Sequence, residues 1–466
     1  MKLFRRYIAP LLILSLLLAA SCSPVQEEKT FEAVNNQING MPVLHTFGWS
    51  FNEIAANMAD IAAAGFGAIQ TSPISECITT AAGAGTGMEI SGKGNGVWWF
   101  HYQPVSFQIG NYQLGTEAEF ESMCNVAAGY NIKVIVDVVA NHFCGAENSA
   151  QLSDEVRNFP GGAYREQNVT GGTNRYRETQ GRLLSLLDTN TQNPHVQQEY
   201  LKYLKRCIQL GASGFRYDAA LHIELPEDDS SFASDFWPVI LNNGAEFQYG
   251  EILTRSSAET YVKYIPAVTD ATYGTAIVSA VRNGRFDVSS LNRYRVNTLA
   301  KNLVTWVESH DTYYNDHVTA NLTEKQILYG WAILCARDGS TPLFFNRPDG
   351  NTPGNVWGNN VIGKKGDDFF KSSEISALNH FKKAMEGTDE LFSNPIEGDA
   401  QLLMIQRGNA GAVLINSGEQ VTLNNADADN LADGVYTDLI SGSEFTVQNG
   451  KISGTVNAQS VAVFFN

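Results

Sequence analysis

The sequence predicts an α/β protein: a (β/α)8 barrel with an inserted segment, followed by a C-terminal antiparallel β-sandwich. Three observations predict it. Short apolar runs alternate with helix-like stretches from Met41 to about Glu386, several of those runs end in a polar or acidic residue, and after about Ser393 the pattern changes to period-two strands with tight turns. Strand and helix alternating over that length imply parallel strands joined by crossover helices. A chain of 466 residues that is 43% hydrophobic has the material for a large core.

Seven barrel strands are read directly, at Val43–Phe47, Ala68–Thr71, Lys133–Asp137, Gly214–Asp218, Phe247–Glu251, Leu303–Glu308 and Pro342–Phe345, and the sixth is placed near Ala271-Thr272-Tyr273. Polar residues closing such strands belong at the C-terminal rim of a barrel, where active sites are built. Between Asn141 and Asp188 the alternation stops, and Gly, Asn, Gln, Arg and Thr dominate. So long an interruption inside a compact domain is usually functional. The expected layout is a barrel over 40–141 and 189–390, an inserted domain over 142–188, and a β-domain over 391–466. In the last of these, Asn449-Gly450 marks a two-residue hairpin.

The N-terminus reads Lys2, Arg5 and Arg6, then an apolar run from Tyr7 to Ala20, then Ser21-Cys22. That is an export signal, too short to span a bilayer. Ala19-Ala20-Ser21 before a cysteine resembles a bacterial lipoprotein signal, which implies removal of 1–21, a lipid on Cys22 and a polar tether over 22–39. The expected location is the cell envelope, at the cell surface, with the membrane touched only through the anchor; release as a soluble secreted protein is the alternative. Removing the three leader cations takes the formal charge from −17 to −20. Such a surface repels nucleic acid, and the chain is expected to be a monomer. Cys77, Cys124, Cys144, Cys207 and Cys335 show no CxxC or Cys/His metal spacing. Buried thiols account for most of them, while Cys77 and Cys144, both after predicted strands, are the candidate disulfide.

Four strand-end segments carry the chemistry, in this order: Asp137-Val-Val-Ala-Asn141-His142, Gly214-Phe-Arg216-Tyr-Asp218-Ala-Ala-Leu-His222, Gly250-Glu251 and Val307-Glu-Ser-His310-Asp311. Thr71-Ser72-Pro73-Ile74 and Leu187-Asp188-Thr189-Asn190 add to them. Together they resemble the signature segments of the α-amylase clan of glycoside hydrolases, closest to the saccharifying bacterial enzymes with a short middle domain. The resemblance covers about residue 40 to the end. It implies a TIM barrel with an inserted calcium-binding domain and a C-terminal sandwich, and retaining endo-hydrolysis of α-1,4-glucosidic bonds in starch, glycogen and malto-oligosaccharides.

Cleaving a glycosidic bond through an oxocarbenium-like transition state takes one carboxylate to attack the anomeric carbon and one carboxyl to protonate the leaving oxygen. The resemblance makes Asp218 the nucleophile, Glu251 the acid/base and Asp311 the third carboxylate. Arg216, two residues before Asp218 on the same strand face, can keep it ionised and oriented. The resemblance further implies that His142, His222 and His310 contact sugar hydroxyls, that Trp98 and Tyr102 pack on sugar rings, and that Gln103 hydrogen-bonds beside them. It also implies one structural Ca²⁺ held by Asn141, Thr179, Asp188 and His222, an oxygen-only set suited to that ion.

The pattern departs in three places. Leu221 replaces a lysine that touches glucose on the leaving-group side, which alters affinity there without removing the chemistry. Ser213 stands where close relatives carry an aspartate for a second calcium. Ser309 and Pro342 replace the Asn and Arg of chloride-activated relatives, so chloride is not expected. A transglycosylase, maltogenic or branch-point enzyme would use the same carboxylates, whereas a non-catalytic glucan-binding protein would be expected to lose one of Asp218, Glu251 or Asp311. With no tryptophan after Trp357, the C-terminal domain is expected to pack on the barrel rather than to bind starch alone.

Overall fold

The computed structural model describes residues 38–82, 97–359 and 361–466; the expected leader and Cys22 lie outside the described residues. Eight parallel strands close a barrel: β1 (Val43–Thr46), β2 (Ala68–Thr71), β3 (Lys133–Val138), β4 (Gly214–Tyr217), β5 (Phe247–Gly250), β6 (Ala267–Thr269), β7 (Leu303–Trp306) and β8 (Thr341–Phe345). Each pairs with its sequence neighbour, and β1 closes on β8 with Val43 opposite Leu343. Helices cover the outer face, so the strands are buried on both sides and read as continuous apolar runs. Inside, Val43, Ile135, Tyr249, Val304 and Leu343 pack against one another; outside, Leu44, Ile69, Val136 and Phe344 join the layer shared with the helices.

The sixth strand corrects the sequence reading. Ala271-Thr272-Tyr273 opens the helix Ala271–Asn283, and the strand is Ala267–Thr269, only three residues long. The switch is made by Asp270, whose carboxylate accepts from Tyr273 N at 3.0 Å as a helix N-cap. It also accepts from Arg295 N at 2.7 Å and Val296 N at 3.2 Å.

Two excursions leave the C-terminal rim. After β2, Ser75–Cys77, Pro104–Asn111 and Gly115–Thr116 form a three-stranded sheet. After β3, His142–Gly145 pairs antiparallel with Leu186–Asp188, His142 opposite Asp188, and the short helices Asp154–Arg157 and Asn174–Gln180 lie between. Cys77 and Cys144 do not bond to each other: all five cysteines of the described residues are free and buried. Burial pushes the Cys144 thiol up to about 12, so it behaves as a small apolar side chain.

Two four-stranded antiparallel sheets make up the C-terminal region. The first, Glu390–Ser393, Leu402–Arg407, Gly411–Asn416 and Ser460–Phe465, is buried on both faces. Leu402, Met404 and Leu414 face the second sheet with Tyr436, Phe445 and Ile452, while the alternate residues Leu403, Ile405, Val413 and Ile415 join the barrel's outer core. The sandwich is therefore docked by one whole apolar sheet face. Asn449 and Gly450 both have positive φ, 50° and 70°, which closes the hairpin between Glu444–Gln448 and Lys451–Val456.

Asp270 joins a strand end, a helix start and the following loop. Asp270→Ala leaves three N–H groups, two of them buried, without their acceptor and is expected to lower stability by about 2–4 kcal/mol, read as the midpoint shift in denaturant unfolding; a loss within the range of a surface substitution would refute this role.

Candidate active site

Register builds the centre of the site. Asp137 on β3 and Arg216 on β4 are direct neighbours across the parallel pair, so their side chains leave the same face. Arg216 Nη1 lies 2.6 and 2.8 Å from the two Asp137 oxygens and 3.0 Å from Asp218 Oδ1, and its Nη2 lies 2.6 Å from Glu251 Oε1. One guanidinium thus touches three carboxylates, and it is 4% exposed. Glu251 is brought beside Asp218 because Glu251 N continues the ladder to Tyr217 O at 2.9 Å.

Local backbone geometry aims the remaining groups. Ala219, directly after Asp218, has left-handed φ 47° and ψ 34°, a conformation costing a non-glycine residue about 1–2 kcal/mol. The turn points its N–H at Glu251 Oε2, 3.0 Å away. Past β7, Asp311–Asn315 forms a single π turn, and Asn315 Nδ2 donates to Asp311 Oδ1 at 2.5 Å. His310 is stacked between Phe47, 4.9 Å away, and Tyr102, 5.4 Å away, and its Nε2 is 3.5 Å from Asp311 Oδ2.

The electrostatics follow from burial. Burial raises Asp137 to about 7, with Arg216 pulling the other way and Asp218 adding to the rise. Asp311 is also pushed to about 7, by burial first and then by the neighbouring Glu251 charge. Asp218 is raised by burial and held down by Arg216. Burial lowers His310 to about 3 and His142 to about 4, so both are neutral in ordinary buffers.

Asp218, Glu251, His310 and Asp311 floor a cavity of about 540 Å³ whose walls include Trp98, Trp99, Tyr102, Gln103, His142 and Asn315, within the size range of small-molecule sites. Tyr102 OH donates to Asp137 Oδ2 at 3.0 Å, and Gln103 Oε1 accepts from Gly145 N at 2.9 Å and Asn148 Nδ2 at 3.3 Å. His142 Nε2 donates to Tyr102 O at 3.1 Å, and that carbonyl sets the tautomer in which Nδ1 accepts from Asn141 Nδ2 at 3.3 Å. Both His142 nitrogens are therefore engaged within the protein. Of the residues expected to touch sugar, Arg216 and His222 form no part of the cavity wall.

The four positions expected to hold calcium lie in two neighbouring pairs. Asn141 O accepts from Thr189 N at 2.9 Å, next to Asp188, and His222 Nδ1 is 3.0 Å from Glu178 O, next to Thr179. Asn141, Thr179 and Asp188 are 1%, 0% and 2% exposed. The set offers oxygens only, including a single carboxylate, and this fits a hard cation. Asp188 Oδ2 also pairs with Arg165 Nη1 at 2.6 Å. No cluster of three or more His, Cys, Asp or Glu suited to a metal occurs among the described residues.

No family model matches the sequence. An α-amylase of Butyrivibrio fibrisolvens is 39% identical over 469 residues, covering 92% of this chain and 47% of that protein, and one of Clostridium acetobutylicum is 32% identical over 488 residues, covering 100% and 60%. The chain thus spans about half the length of these curated relatives. Among solved structures, α-amylase I of Eisenia fetida superposes with a TM-score of 0.70 at 18% identity, covering 92% of this chain and 97% of that one. Over most of its length, then, the chain resembles α-amylases.

The sequence alone left several site residues without a role. Asp137 was visible as a charge inside the apolar run Val134–Val138, and the ion pair with Arg216 is what makes its burial tolerable. Leu183, Leu184 and Leu186 line one wall of the cavity, and Leu184 is 86% exposed at φ 48°. Three leucines in a polar insertion were the available signal. Asn315 was concealed by the π turn, which sequence periodicity does not reveal.

Arg216→Met removes the common partner of three buried carboxylates. In the native protein Asp137 and Asp311 have folded values raised above the unfolded one, so their contribution to stability is largest below the unfolded value near 4 and falls as pH rises toward 7. Without Arg216, Asp137 and Asp218 rise further, and the loss extends to higher pH. Denaturant unfolding of Arg216→Met should therefore show a deficit against the native chain that grows between about pH 5 and 8, reaching roughly 3–5 kcal/mol; a deficit independent of pH would contradict this.

Proposed function

We propose that the chain is an α-amylase that hydrolyses internal α-1,4-glucosidic bonds of starch, glycogen and malto-oligosaccharides with retention of configuration. The observation that carries this is the single guanidinium of Arg216 spanning Asp218 and Glu251 on the floor of an aromatic-walled cleft, with Asp311 beside them. A shared fork favours the close carboxyl spacing of retaining enzymes, about 5–5.5 Å, over the wider spacing of inverting ones. The Eisenia fetida structure is a Glu-to-Gln mutant complexed with maltohexaose, and a Geobacillus thermoleovorans α-amylase of similar fold is complexed with acarbose.

In this reading Asp218 attacks the anomeric carbon while Glu251 gives its proton to the departing glycosidic oxygen, breaking the C–O bond and leaving a glycosyl ester on Asp218. Glu251 then takes a proton from water as that water attacks the same carbon and frees Asp218. Each Glu251 oxygen accepts one hydrogen bond, from Arg216 Nη2 and Ala219 N, which leaves a second lone-pair site on each for the proton that is transferred. Asp311 and the neutral His310 present acceptor and donor to sugar hydroxyls, and Trp98 and Tyr102 offer aromatic faces to the ring.

Asn141, Thr179, Asp188 and His222 would hold Ca²⁺. The ion would pin the insertion to the barrel beside the cleft and keep Asp188 ionised, against the burial that pushes it to about 8. Export with a lipid on Cys22 rests on the leader pattern, and radiolabelled palmitate incorporated by the native chain but not by Cys22→Ala would support it.

Two measurements test the function. Soluble starch treated with the native chain should shorten rapidly to α-anomeric oligosaccharides, with Glu251→Gln slower by about 10³-fold or more but still retained on a starch column; β-anomeric first products or an active Glu251→Gln would overturn the reading. Chelation should lower the midpoint of thermal unfolding by about 5 °C or more, with recovery on Ca²⁺ and not Mg²⁺; an unchanged midpoint would remove calcium from the account.

A further inference from the structure

A second cavity, of about 360 Å³, lies at the opposite rim of the barrel from the carboxylates. Asn39–Met41 before β1, Lys301 before β7 and Gly339 before β8 border it, together with the end of the helix Ser373–Ala384 and Arg407 of the sandwich. Its walls carry four cations, Lys301, Lys382, Lys383 and Arg407, against the carboxylates of Asp338 and Glu386, in a chain whose formal charge is −17. Arg407 pairs with Asp338 at 2.8 Å, whereas the three lysines form no ion pair among the described residues.

The two deepest cations are incompletely bonded. Lys382 is 4% exposed and its ammonium, with three N–H bonds to give, has one acceptor, Arg337 O at 2.5 Å. Burial, and after it the nearby Arg407 charge, lower it to about 8. Arg407 is fully buried; its terminal nitrogens bond Asp338 and the carbonyls of Ala336, Met385 and Thr388, but its Nε has no acceptor. Asn39 Oδ1, also buried, has no donor. Each of these is costly to leave unmade.

We propose that this cavity binds a phosphate group, either free or as the head of a small phosphomonoester. A tetrahedral oxyanion supplies acceptors to Lys382 and to Arg407 Nε, and a protonated phosphate oxygen supplies the donor for Asn39 Oδ1. Carboxylate and sulfate carry no such proton at neutral pH, whereas inorganic phosphate does, and a phosphomonoester, with a second pKa near 6, keeps one only in its minor monoanionic fraction. The volume lies at the lower end of small-molecule sites, roughly 300–1,000 Å³. The site is separate from the glucan cleft and joins barrel to sandwich, so its occupancy would act on stability rather than on catalysis.

Isothermal titration of the full chain at constant ionic strength, with inorganic phosphate, glucose 6-phosphate, sulfate and chloride in turn, tests this. Saturable one-site binding of phosphate or glucose 6-phosphate is expected, with sulfate at least about tenfold weaker, and the tighter of the two phosphates identifies the source. Lys382→Met should weaken that binding about tenfold or more while starch hydrolysis is unchanged. Should Lys382→Met fail to fold, Lys301→Ser with Lys383→Ser at the cavity mouth should weaken binding at least about threefold. No saturable binding of either phosphate, equal binding of sulfate, or binding unaffected by the substitutions would overturn the proposal and leave a solvent-filled gap.

Discussion

The guanidinium of Arg216 must satisfy Asp137, Asp218 and Glu251 at once, and the geometry of the cleft is arranged around that demand. Burial makes Asp137 and Asp218 resist ionisation, and the Asp218 charge adds to the effect on Asp137. A single delocalised cation, presenting its N–H bonds in a rigid fork, can hold two of the three carboxylates through Nη1 and the third through Nη2. A lysine at this position would offer a point charge and lose the divided geometry. The barrel provides the placement, because register puts Asp137 beside Arg216 and the strand ends put Glu251 beside Asp218.

The insertion over the cleft depends on two further arginines. Arg165 pairs with Asp188 and with Glu224, a glutamate just past β4 that is 0% exposed and also accepts from Gln180 and Thr191. Arg175 reaches Asp228 at 2.8 Å, Tyr261 OH at 2.7 Å and the carbonyls of Leu221 and Ile223. Both tie the insertion to the segment after β4, the strand that leads into Asp218. Removing one partner of such a buried pair typically costs about 3–5 kcal/mol, so a structural cation near Asp188 would reinforce a junction that already has strong attachments of its own.

Legibility in the sequence followed the physics of each element. Seven of the eight barrel strands could be read because strands buried on both faces are continuous apolar runs, and the Asn449-Gly450 hairpin could be read because only a few residues accept two successive positive φ values. The sixth strand could not: three residues are too few to show a period, and Ala271-Thr272-Tyr273 has strand-like composition until Asp270 is recognised as a cap. Asp218, Glu251 and Asp311 stood out as acids at strand ends, yet Asp137, which completes the ion-pair centre, requires knowledge of the β3–β4 register. The engagement of both His142 nitrogens inside the protein likewise depends on where Tyr102 O falls after a long excursion.

Leu221 illustrates how the scaffold permits variation at the cleft without disturbing the chemistry. The resemblance to the clan places a lysine at this position, three residues after Asp218, on the turn that leads to His222. What fixes that turn is its backbone: Leu221 O accepts from Arg175 Nη1 at 2.9 Å and from Tyr261 OH at 2.7 Å, and His222 N closes on Ala219 O at 2.9 Å. None of these bonds uses the side chain at 221. The left-handed Ala219, and with it the N–H aimed at Glu251, is therefore set independently of whether a cation or an apolar group follows. A leucine in place of that lysine removes a donor from the turn, while Arg216 continues to hold both Asp218 and Glu251.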